Sequence, residues 1–208
     1  MRSRLSLILL SSGCVEIVRP AENGPQDMVL MGTPTYENIT GRPTEPVQLE
    51  MISNLLPSVE VGLVVNDPAE RDSYADQLEA DYGVAAGDLD NLVTIEVEHT
   101  DIWFRDMGGI FVHADAGQFG ESIAAIDFEF DGWGYGSFSL PEQVELYDID
   151  NEVAGKIAAE LDYPVIYSPL IQEGGSFQSN GNGVVAYSVQ SVTQRNPTWP
   201  LPLIELEM

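Results

Sequence analysis

The side chains best suited to binding or catalysis lie close together in residues 97–112. Trp103, Arg105 and Asp106 stand there next to a glycine pair, just before an apolar run. Charged side chains are seldom buried unless they are paired or bound to a ligand. An arginine between carboxylates can pair with one of them and leave another free to meet a cationic ligand. The same residues also fit a structural Arg–Asp pair at a strand end with a tryptophan closing the core, which is the interpretation that local chemistry alone favours.

Two later segments combine acidic side chains with glycine or tryptophan. Residues 126–134 read Ile-Asp-Phe-Glu-Phe-Asp-Gly-Trp-Gly, in which Trp133 either lines a ligand or fills the core. Residues 173–176 read Glu-Gly-Gly-Ser, and Gln-Arg-Asn-Pro follows at 194–197. Glycine lets the backbone approach a ligand closely. Glu173 would therefore stand at a tight turn, either as a ligand-binding carboxylate or only as a turn cap.

The charge of the chain excludes two classes of partner. A length of 208 residues suffices for one domain with a full core, and a hydrophobic content of 44% argues for a folded protein. The 34 acidic residues outnumber the 8 basic ones and give a net charge of −26. This charge repels nucleic acid phosphates and anionic membrane surfaces, so we exclude both. It attracts cations, including guanidinium compounds, although charge spread along the whole chain mainly suits solubility.

Cysteine and histidine are too few for several kinds of site. Cys14 is the single cysteine, which excludes an internal disulfide framework and a multi-cysteine metal site. Only His99 and His113 are present, which excludes a histidine-rich metal cluster. No apolar run approaches the roughly 20 residues that a bilayer-spanning helix needs.

Residues 1–26 look separate from the rest of the chain. A basic start, a short apolar run and small residues precede Cys14, a pattern similar to a bacterial lipoprotein signal. A disordered start or a miscalled start codon fits equally well. If the signal is real, Cys14 is a lipid attachment point on an exported protein, and otherwise the protein is cytoplasmic. Residues 16–26 are polar, contain two prolines and indicate a linker, so we place the folded domain at residues 27–208.

Strands and helices alternate along residues 28–189. Apolar runs predict the strands and 3.6-residue periodicity predicts the helices, with Asp67 and Pro68 beginning the second helix. This order indicates a mixed α/β fold with helices interleaved among strands. Residues 131–140 are expected to form a loop rich in glycine and aromatic side chains, and residues 199–208 show no helical pattern. The predicted strands are 28–32, 59–65, 92–97, 110–113, 123–130, 165–168 and 184–189, and the predicted helices are 45–56, 68–82 and 150–161.

Three of these segments resemble the motifs of one enzyme family. Residues 103–108, Trp-x-Arg-Asp-x-Gly, resemble the W-x-R-D-x-G-P signature of the agmatine deiminase and Porphyromonas-type peptidylarginine deiminase family. Residues 126–134 are similar to its D-W-x-F-N-x-W-G segment, and residues 173–197 are similar to its E-G-G-S, D-G-x-G and N-R-N-P segments. Because three matches occur in the same order, the chain is identified as a member of this family that matches the family's N-terminal half.

The resemblance also implies a fold. Members of the family are pentein-type β/α propellers, in which five strand–helix units surround a pseudo-fivefold axis with the site at the centre. By its number of elements this chain would supply about half to three-fifths of such a ring. We therefore expect residues 27–208 to form an incomplete deiminase propeller domain with mixed sheets and interleaved helices. The periodicity of the sequence does not reveal the repeat by itself.

The chemistry implied by the resemblance is hydrolysis of a guanidinium. In this family a cysteine thiolate attacks the guanidinium carbon, ammonia leaves, and water releases the ureido product. Asp106 and Glu173 match the family's carboxylates, which suit a planar guanidinium because they can bind it edge-on and bidentately. Trp103 and Trp133 match its aromatic walls, because a ring face suits a flat cation. No metal or organic cofactor is implied. The supporting positions are Gly108, Gly174, Gly175, Asp101 and Arg105, the arginine pairing with Asp101 or Asp127.

The sequence departs from the family pattern at several positions. Gly109 stands where the family has proline, which loosens that turn, and Gln178 stands where the family usually has histidine. The nucleophilic cysteine and the acid/base histidine belong to the family's second half. Cys14 lies too early to match the nucleophile, and neither histidine matches the catalytic one.

Two classes of function therefore stay open. The first is a guanidine deiminase, acting on agmatine or on peptidyl arginine, of which the 208 residues are a fragment or a truncated gene product. The second is a non-catalytic remnant that binds a guanidinium without turnover, or a fragment that does not fold independently. Because no residue matches the family's nucleophile, we expect this chain alone to lack deiminase activity. Free agmatine suits a cytoplasmic enzyme and protein arginine an exported one, so the substrate also stays open.

Overall fold

The computed structural model describes residues 17–21, 24–34, 43–114, 122–134 and 147–208. The signal-like segment with Cys14 and most of the predicted 131–140 loop lie outside these residues. Within them the chain has the mixed α/β fold that its sequence predicts. The strands are β1 (Ile17–Val18), β2 (Met28–Gly32), β3 (Glu60–Val65), β4 (Leu92–Glu96), β5 (Ile110–Ala114), β6 (Ser122–Glu129), β7 (Val165–Ile171), β8 (Phe177–Ser179) and β9 (Val185–Tyr187). The α-helices are α1 (Glu45–Leu55), α2 (Pro68–Tyr82), α3 (Phe104–Met107), α4 (Val153–Glu160), α5 (Val189–Arg195) and α6 (Leu201–Glu207).

The first sheet is parallel, in the order β2-β3-β4, and α1 and α2 connect its strands. Parallel neighbours require such crossovers, which explains the strand–helix alternation in the sequence. Helix α2 begins as predicted, because the Asp67 carboxylate accepts a hydrogen bond from the Ala69 amide at 2.9 Å. It ends at Gly83, whose φ of +69° glycine adopts without strain. Buried side chains of β3 and both helices form the first core, including Leu49, Ile52, Val61, Leu63 and Leu78.

The second sheet is mixed, in the order β1-β5-β6-β7. Strand β6 pairs antiparallel with β5 and parallel with β7, and α4 lies on the crossover between β6 and β7. The hairpin of β8 and β9 forms a separate small sheet beside it. Side chains of these strands and of helices α5 and α6 form the second core. The strands contribute Ile110, Val112, Phe128, Leu170 and Phe177, and the helices contribute Val192 and Ile204.

The short helix α3 lies where the two larger sheets meet. Its buried Phe104 and Met107 belong to a third core with Ile95 of β4 and Ile157 of α4. Gly32, at the end of β2, leaves the space that the Phe104 ring occupies, because a Cβ there would overlap the ring. The packing of Phe104 and Met107 therefore fixes the position of the charged residues between them.

The sequence prediction was wrong at two places near the C-terminus. Residues 199–208 were expected to have no helix, yet Leu201–Glu207 form α6, whose first turn contains a proline and whose Ile204 is fully buried. Proline is well tolerated in the first turn of a helix, so it starts α6 rather than preventing it. The predicted strand 184–189 is shorter, because the Ser188 hydroxyl accepts from the Ser191 amide and begins helix α5 at Val189.

Among the helices of the described residues, none is both long and apolar enough to cross a membrane.

Candidate functional site

The carboxylate of Asp106 lies at the centre of the site. Helix α3 presents it partly exposed, between the buried Phe104 and Met107. Its Oδ1 accepts a hydrogen bond from the Gly175 amide at 2.9 Å, and its Oδ2 accepts one from Trp133 Nε1 at 2.8 Å. An ionised carboxylate has about four acceptor positions, so two fixed donors orient it and leave capacity for a further partner.

Gly174 and Gly175 are required by close packing against α3. A Cβ on Gly175 would overlap Asp106 Oδ1, and a Cβ on Gly174 would overlap the carbonyl oxygen of Arg105. The sequence predicted close backbone approach at these glycines, but toward a ligand. In the structure the missing side chains of these glycines leave room for residues 105–106 of the same chain. This contact joins the Glu-Gly-Gly turn to the helix that carries Asp106.

Trp133 reaches Asp106 from an unusual loop conformation. Its φ is +60°, and the neighbouring Gly132 and Gly134 also have positive φ values of +63° and +85°. A left-handed conformation is uncommon for a bulky residue and persists only where the surroundings hold it. The Asp131 carboxylate does so by accepting from the Gly134 amide at 2.8 Å, and the indole packs edge-on against Phe130 at 5.1 Å between ring centroids.

Glu173 is buried and pairs with an arginine of its own chain. Its Oε2 forms an ion pair with Nη2 of Arg195, whose Nη1 lies 2.9 Å from Asp131 Oδ1. Residues 194–197 were recognised in the sequence as a family match, but no role was predicted for Arg195. The one signal was an arginine in a motif-like segment of a chain with only 8 basic residues.

Asn196, in the same segment, hydrogen-bonds the backbone of β7, which the sequence did not predict. Its side-chain amide donates to the Ile171 carbonyl at 2.9 Å and accepts from the Ile171 amide at 3.0 Å. It also donates to the carbonyl of Val192 at 2.9 Å. The side chain thus continues the hydrogen bonding of β7 at its last residue and fixes the backbone two residues before Glu173.

Trp103 is more exposed to solvent than Trp133, the other aromatic side chain predicted for the site. It precedes α3, is 54% exposed, and its carbonyl accepts from the Asp106 amide at 2.8 Å. Arg105 is also exposed and donates to the Phe177 carbonyl at 3.2 Å. Asp101 Oδ1 accepts from the following amide, that of Ile102, at 2.7 Å. An ion pair of Arg105 with Asp101 or Asp127 stays a prediction.

The backbone conformation of Gly109 is one that proline cannot adopt. Its φ is +84°, whereas the proline ring restricts φ to about −65°. The backbone of this chain therefore turns at Gly109 in a way that proline cannot, and a Cβ there would lie 3.2 Å from that of Ala154.

Two buried polar side chains hold the loop that leads into α3. Both ring nitrogens of His99 lie 2.9 Å from carbonyl oxygens, those of Val97 and Thr33. Asp150, only 1% exposed, accepts from the amide and from the hydroxyl of Thr100, each at 2.7 Å. Burial raises the pKa of Asp150, and nearby Asp101 adds to the rise, against the Thr100 hydrogen bonds and His99, which lower it.

This raised pKa predicts a pH dependence of stability. Because the folded state binds the Asp150 proton more tightly than the unfolded state does, the contribution of Asp150 to the free energy of unfolding falls as pH rises from its unfolded pKa through its higher folded pKa. We expect Asp150→Asn to remove this slope while the amide oxygen still accepts from Thr100. Urea unfolding at a series of pH values from 4 to 7 measures the difference from wild type. Exposed Asp148→Asn is the control and should keep the slope; a wild-type slope in Asp150→Asn would contradict the prediction.

The described residues offer a carboxylate site rather than a metal site. In that part of the chain no group of three or more His, Cys, Asp and Glu side chains is placed to hold a metal ion. Asp106 also borders a small cavity of about 10 Å³, room for about one water molecule, whose walls are mainly apolar apart from Gln172.

Comparisons with known proteins agree with the motif matches. A family described as Porphyromonas-type peptidyl-arginine deiminase matches residues 18–208. A relative from Marinomonas sp. is 29% identical over 184 residues, which are 86% of this chain and 45% of that protein. The agmatine deiminase of Pseudomonas syringae pv. syringae is 25% identical over 183 residues, covering 85% of this chain and 45% of that protein.

Solved structures show the same fold. The agmatine deiminase of Enterococcus faecalis is 25% identical with a TM-score of 0.67, over 91% of this chain and 49% of that one. An agmatine deiminase of C. jejuni with substrate bound gives a TM-score of 0.69 at 22% identity, over 92% of this chain and 52% of that one. The chain thus spans about half the length of these relatives.

Proposed function

Because the chain belongs to the Porphyromonas-type peptidyl-arginine deiminase family, we propose that its site binds the guanidinium of agmatine or of a peptidyl arginine. The observation that carries this proposal is the Asp106 carboxylate, oriented by Trp133 Nε1 and the Gly175 amide. A guanidinium presents paired N–H donors in a fixed fork, and an oriented carboxylate with spare acceptor positions complements that fork.

Three further side chains would complete the binding site. Trp133 is held against Asp106 and would cover one face of the planar cation, while the exposed Trp103 would close over it from outside. Glu173 would add negative charge beside the cation. Arg195 pairs with both Asp131 and Glu173, so these two carboxylates carry one more negative charge than Arg195 neutralises, which favours a cationic ligand nearby.

We propose the whole family reaction only for a protein that supplies a thiolate. Hydrolysis of the C–N bond requires a nucleophile that attacks the guanidinium carbon, and the family resemblance assigns this to a cysteine. The single cysteine of these 208 residues, Cys14, does not match it. The chain would then provide the guanidinium-binding part of a deiminase, or act as a binding module. The likeness to solved deiminases supports a pentein-type propeller, of which its sheets would be a part.

Binding and turnover of agmatine by the 208-residue chain test this proposal. We expect calorimetric titration at 0.15 M salt to show agmatine binding, and Asp106→Asn to weaken it by about 10- to 100-fold, because a charge-assisted contact contributes roughly 1.5–3 kcal/mol. No N-carbamoylputrescine should form. A blocked arginine peptide in place of agmatine distinguishes the two substrate classes.

Two controls separate guanidinium recognition from general attraction to an acidic protein. Butane-1,4-diamine carries positive charge without a guanidinium and should bind far more weakly than agmatine. Asp90→Asn removes one exposed carboxylate remote in sequence from the site and should leave agmatine affinity unchanged. Equal affinity of wild type and Asp106→Asn for agmatine would rule out the site, and product formation would rule out the proposed lack of turnover.

A further inference from the structure

Arg195 is a largely enclosed guanidinium between two carboxylates. Its side chain is 10% exposed. Nη1 lies 2.9 Å from Asp131 Oδ1, Nη2 pairs with Glu173, and Nη2 lies 3.4 Å from the Ser191 hydroxyl. A planar guanidinium with donors on both ends can bridge two carboxylates, whereas a lysine ammonium has no such fork.

Each carboxylate bridged by Arg195 belongs to a segment that donates to Asp106. Asp131 begins the loop that carries Trp133, and its Oδ1 also accepts from the Gly134 amide. Glu173 begins the turn that carries Gly175. The contacts therefore form a closed circuit from Asp106 through Trp133 and Asp131 to Arg195, and back through Glu173 and Gly175.

We propose that Arg195 is a positioning residue for Asp106, which sets the distance between the two segments so that both donors reach the carboxylate together. The left-handed backbone at Trp133 supports this inference, because such a conformation needs an external restraint and Asp131 is tied to Arg195. What Asp106 then binds rests on the proposed function, whereas the positioning does not.

The test follows the Trp133 indole N–H by NMR in the ligand-free chain. The sequence has three tryptophans, and Trp133→Phe assigns the resonance. In Arg195→Lys the charge remains but the fork is lost, so we expect the resonance to move upfield as its hydrogen bond to Asp106 weakens. Agmatine affinity should fall about tenfold or more, since small displacements of a binding group are costly.

Val192→Ala is the matched control for a merely structural effect. Val192 is fully buried on the same helix, one turn before Arg195, and its truncation lowers stability without touching the ion pairs. We expect it to leave the indole resonance in place. If Arg195→Lys does not fold, the double variant Glu173→Gln, Arg195→Gln avoids leaving the buried Glu173 carboxylate unpaired, while Asp131 keeps its hydrogen bond from the Gly134 amide; it should move the resonance in the same way.

The outcomes distinguish this inference from the proposed function. An unchanged Trp133 resonance in a folded Arg195 variant overturns the positioning role, whatever agmatine does. A shifted resonance with no agmatine binding by wild type supports the positioning role and overturns the proposed ligand. A shift of equal size in Val192→Ala also overturns the inference, because loosening of helix α5 would then suffice.

Discussion

Gly175→Ala is expected to lower the free energy of unfolding by about 1.5–3 kcal/mol and to abolish agmatine binding. The added methyl would overlap Asp106 Oδ1, so the Asp106 carboxylate must rotate away, or helix α3 or the Glu-Gly-Gly turn must move. Rotation breaks the hydrogen bond from the Gly175 amide, which for a charged group costs about 1.5–3 kcal/mol, and a backbone shift would cost roughly 1–3 kcal/mol. Urea unfolding and calorimetric titration measure the two effects.

Gly87→Ala is the matched control for this substitution. No heavy atom lies within 4 Å of a Cβ at Gly87, and neither Gly87 nor Gly175 has a positive φ. The same change should therefore stabilise the chain slightly, by up to about 1 kcal/mol, since alanine restricts the unfolded chain more than glycine does. Equal stabilities of the two variants would contradict the close contact between Gly175 and Asp106.

Asn196→Ala is expected to have a comparably large effect through the backbone. The variant leaves the amide and the carbonyl of Ile171 and the carbonyl of Val192 without the side-chain partner, in a place where Asn196 is only 4% exposed. The Val192 carbonyl still accepts from the backbone amide of residue 196 at 3.0 Å, so only the two Ile171 groups are left unsatisfied; at about 1–3 kcal/mol each, we expect a loss of about 3 kcal/mol. Agmatine affinity should also fall, because Glu173 follows Ile171 by two residues. Urea unfolding and titration again measure both.

Two variants sharpen the interpretation of Asn196→Ala. Asn196→Asp keeps an acceptor for the Ile171 amide but loses both donated hydrogen bonds, so it should be nearly as destabilised. Exposed Asn54→Ala removes one hydrogen bond, to Glu50 on helix α1, and should change stability by less than about 0.5 kcal/mol. A loss in Asn196→Ala no larger than in Asn54→Ala would show that the Ile171 contacts contribute little.

Arg195 and Asn196 together explain why a short segment far from Asp106 in sequence matters for the site. One residue bridges Asp131 and Glu173, and the other fixes the backbone before Glu173. Neither contacts Asp106 in the hydrogen bonds described above; both act on the segments that do. The segment thus positions the donors, whereas Asp106 is the proposed contact to the ligand.

The sequence alone determined most of the strands and helices, and the family of this protein. The mixed α/β fold, the strands of the first sheet and the Asp67 cap of α2 were all predicted and are confirmed. These features depend on side-chain periodicity and local capping, which are properties of neighbouring residues. The three motifs also identified the family, because a motif consists of residue types at fixed spacing and can be read directly from the sequence. The predicted signal around Cys14 lies outside the described residues.

Only the tertiary structure decided how the site is assembled. Trp133, Gly175 and Arg195 are distant from Asp106 in sequence, and no local pattern states that a Cβ at Gly175 would meet the Asp106 carboxylate. The same holds for α6, whose helix follows from burying Ile204 against the second sheet rather than from its own pattern. Hydrogen bonds and packing between remote segments depend on the three-dimensional path of the chain, and that path sets which carboxylate is paired internally and which can receive a ligand.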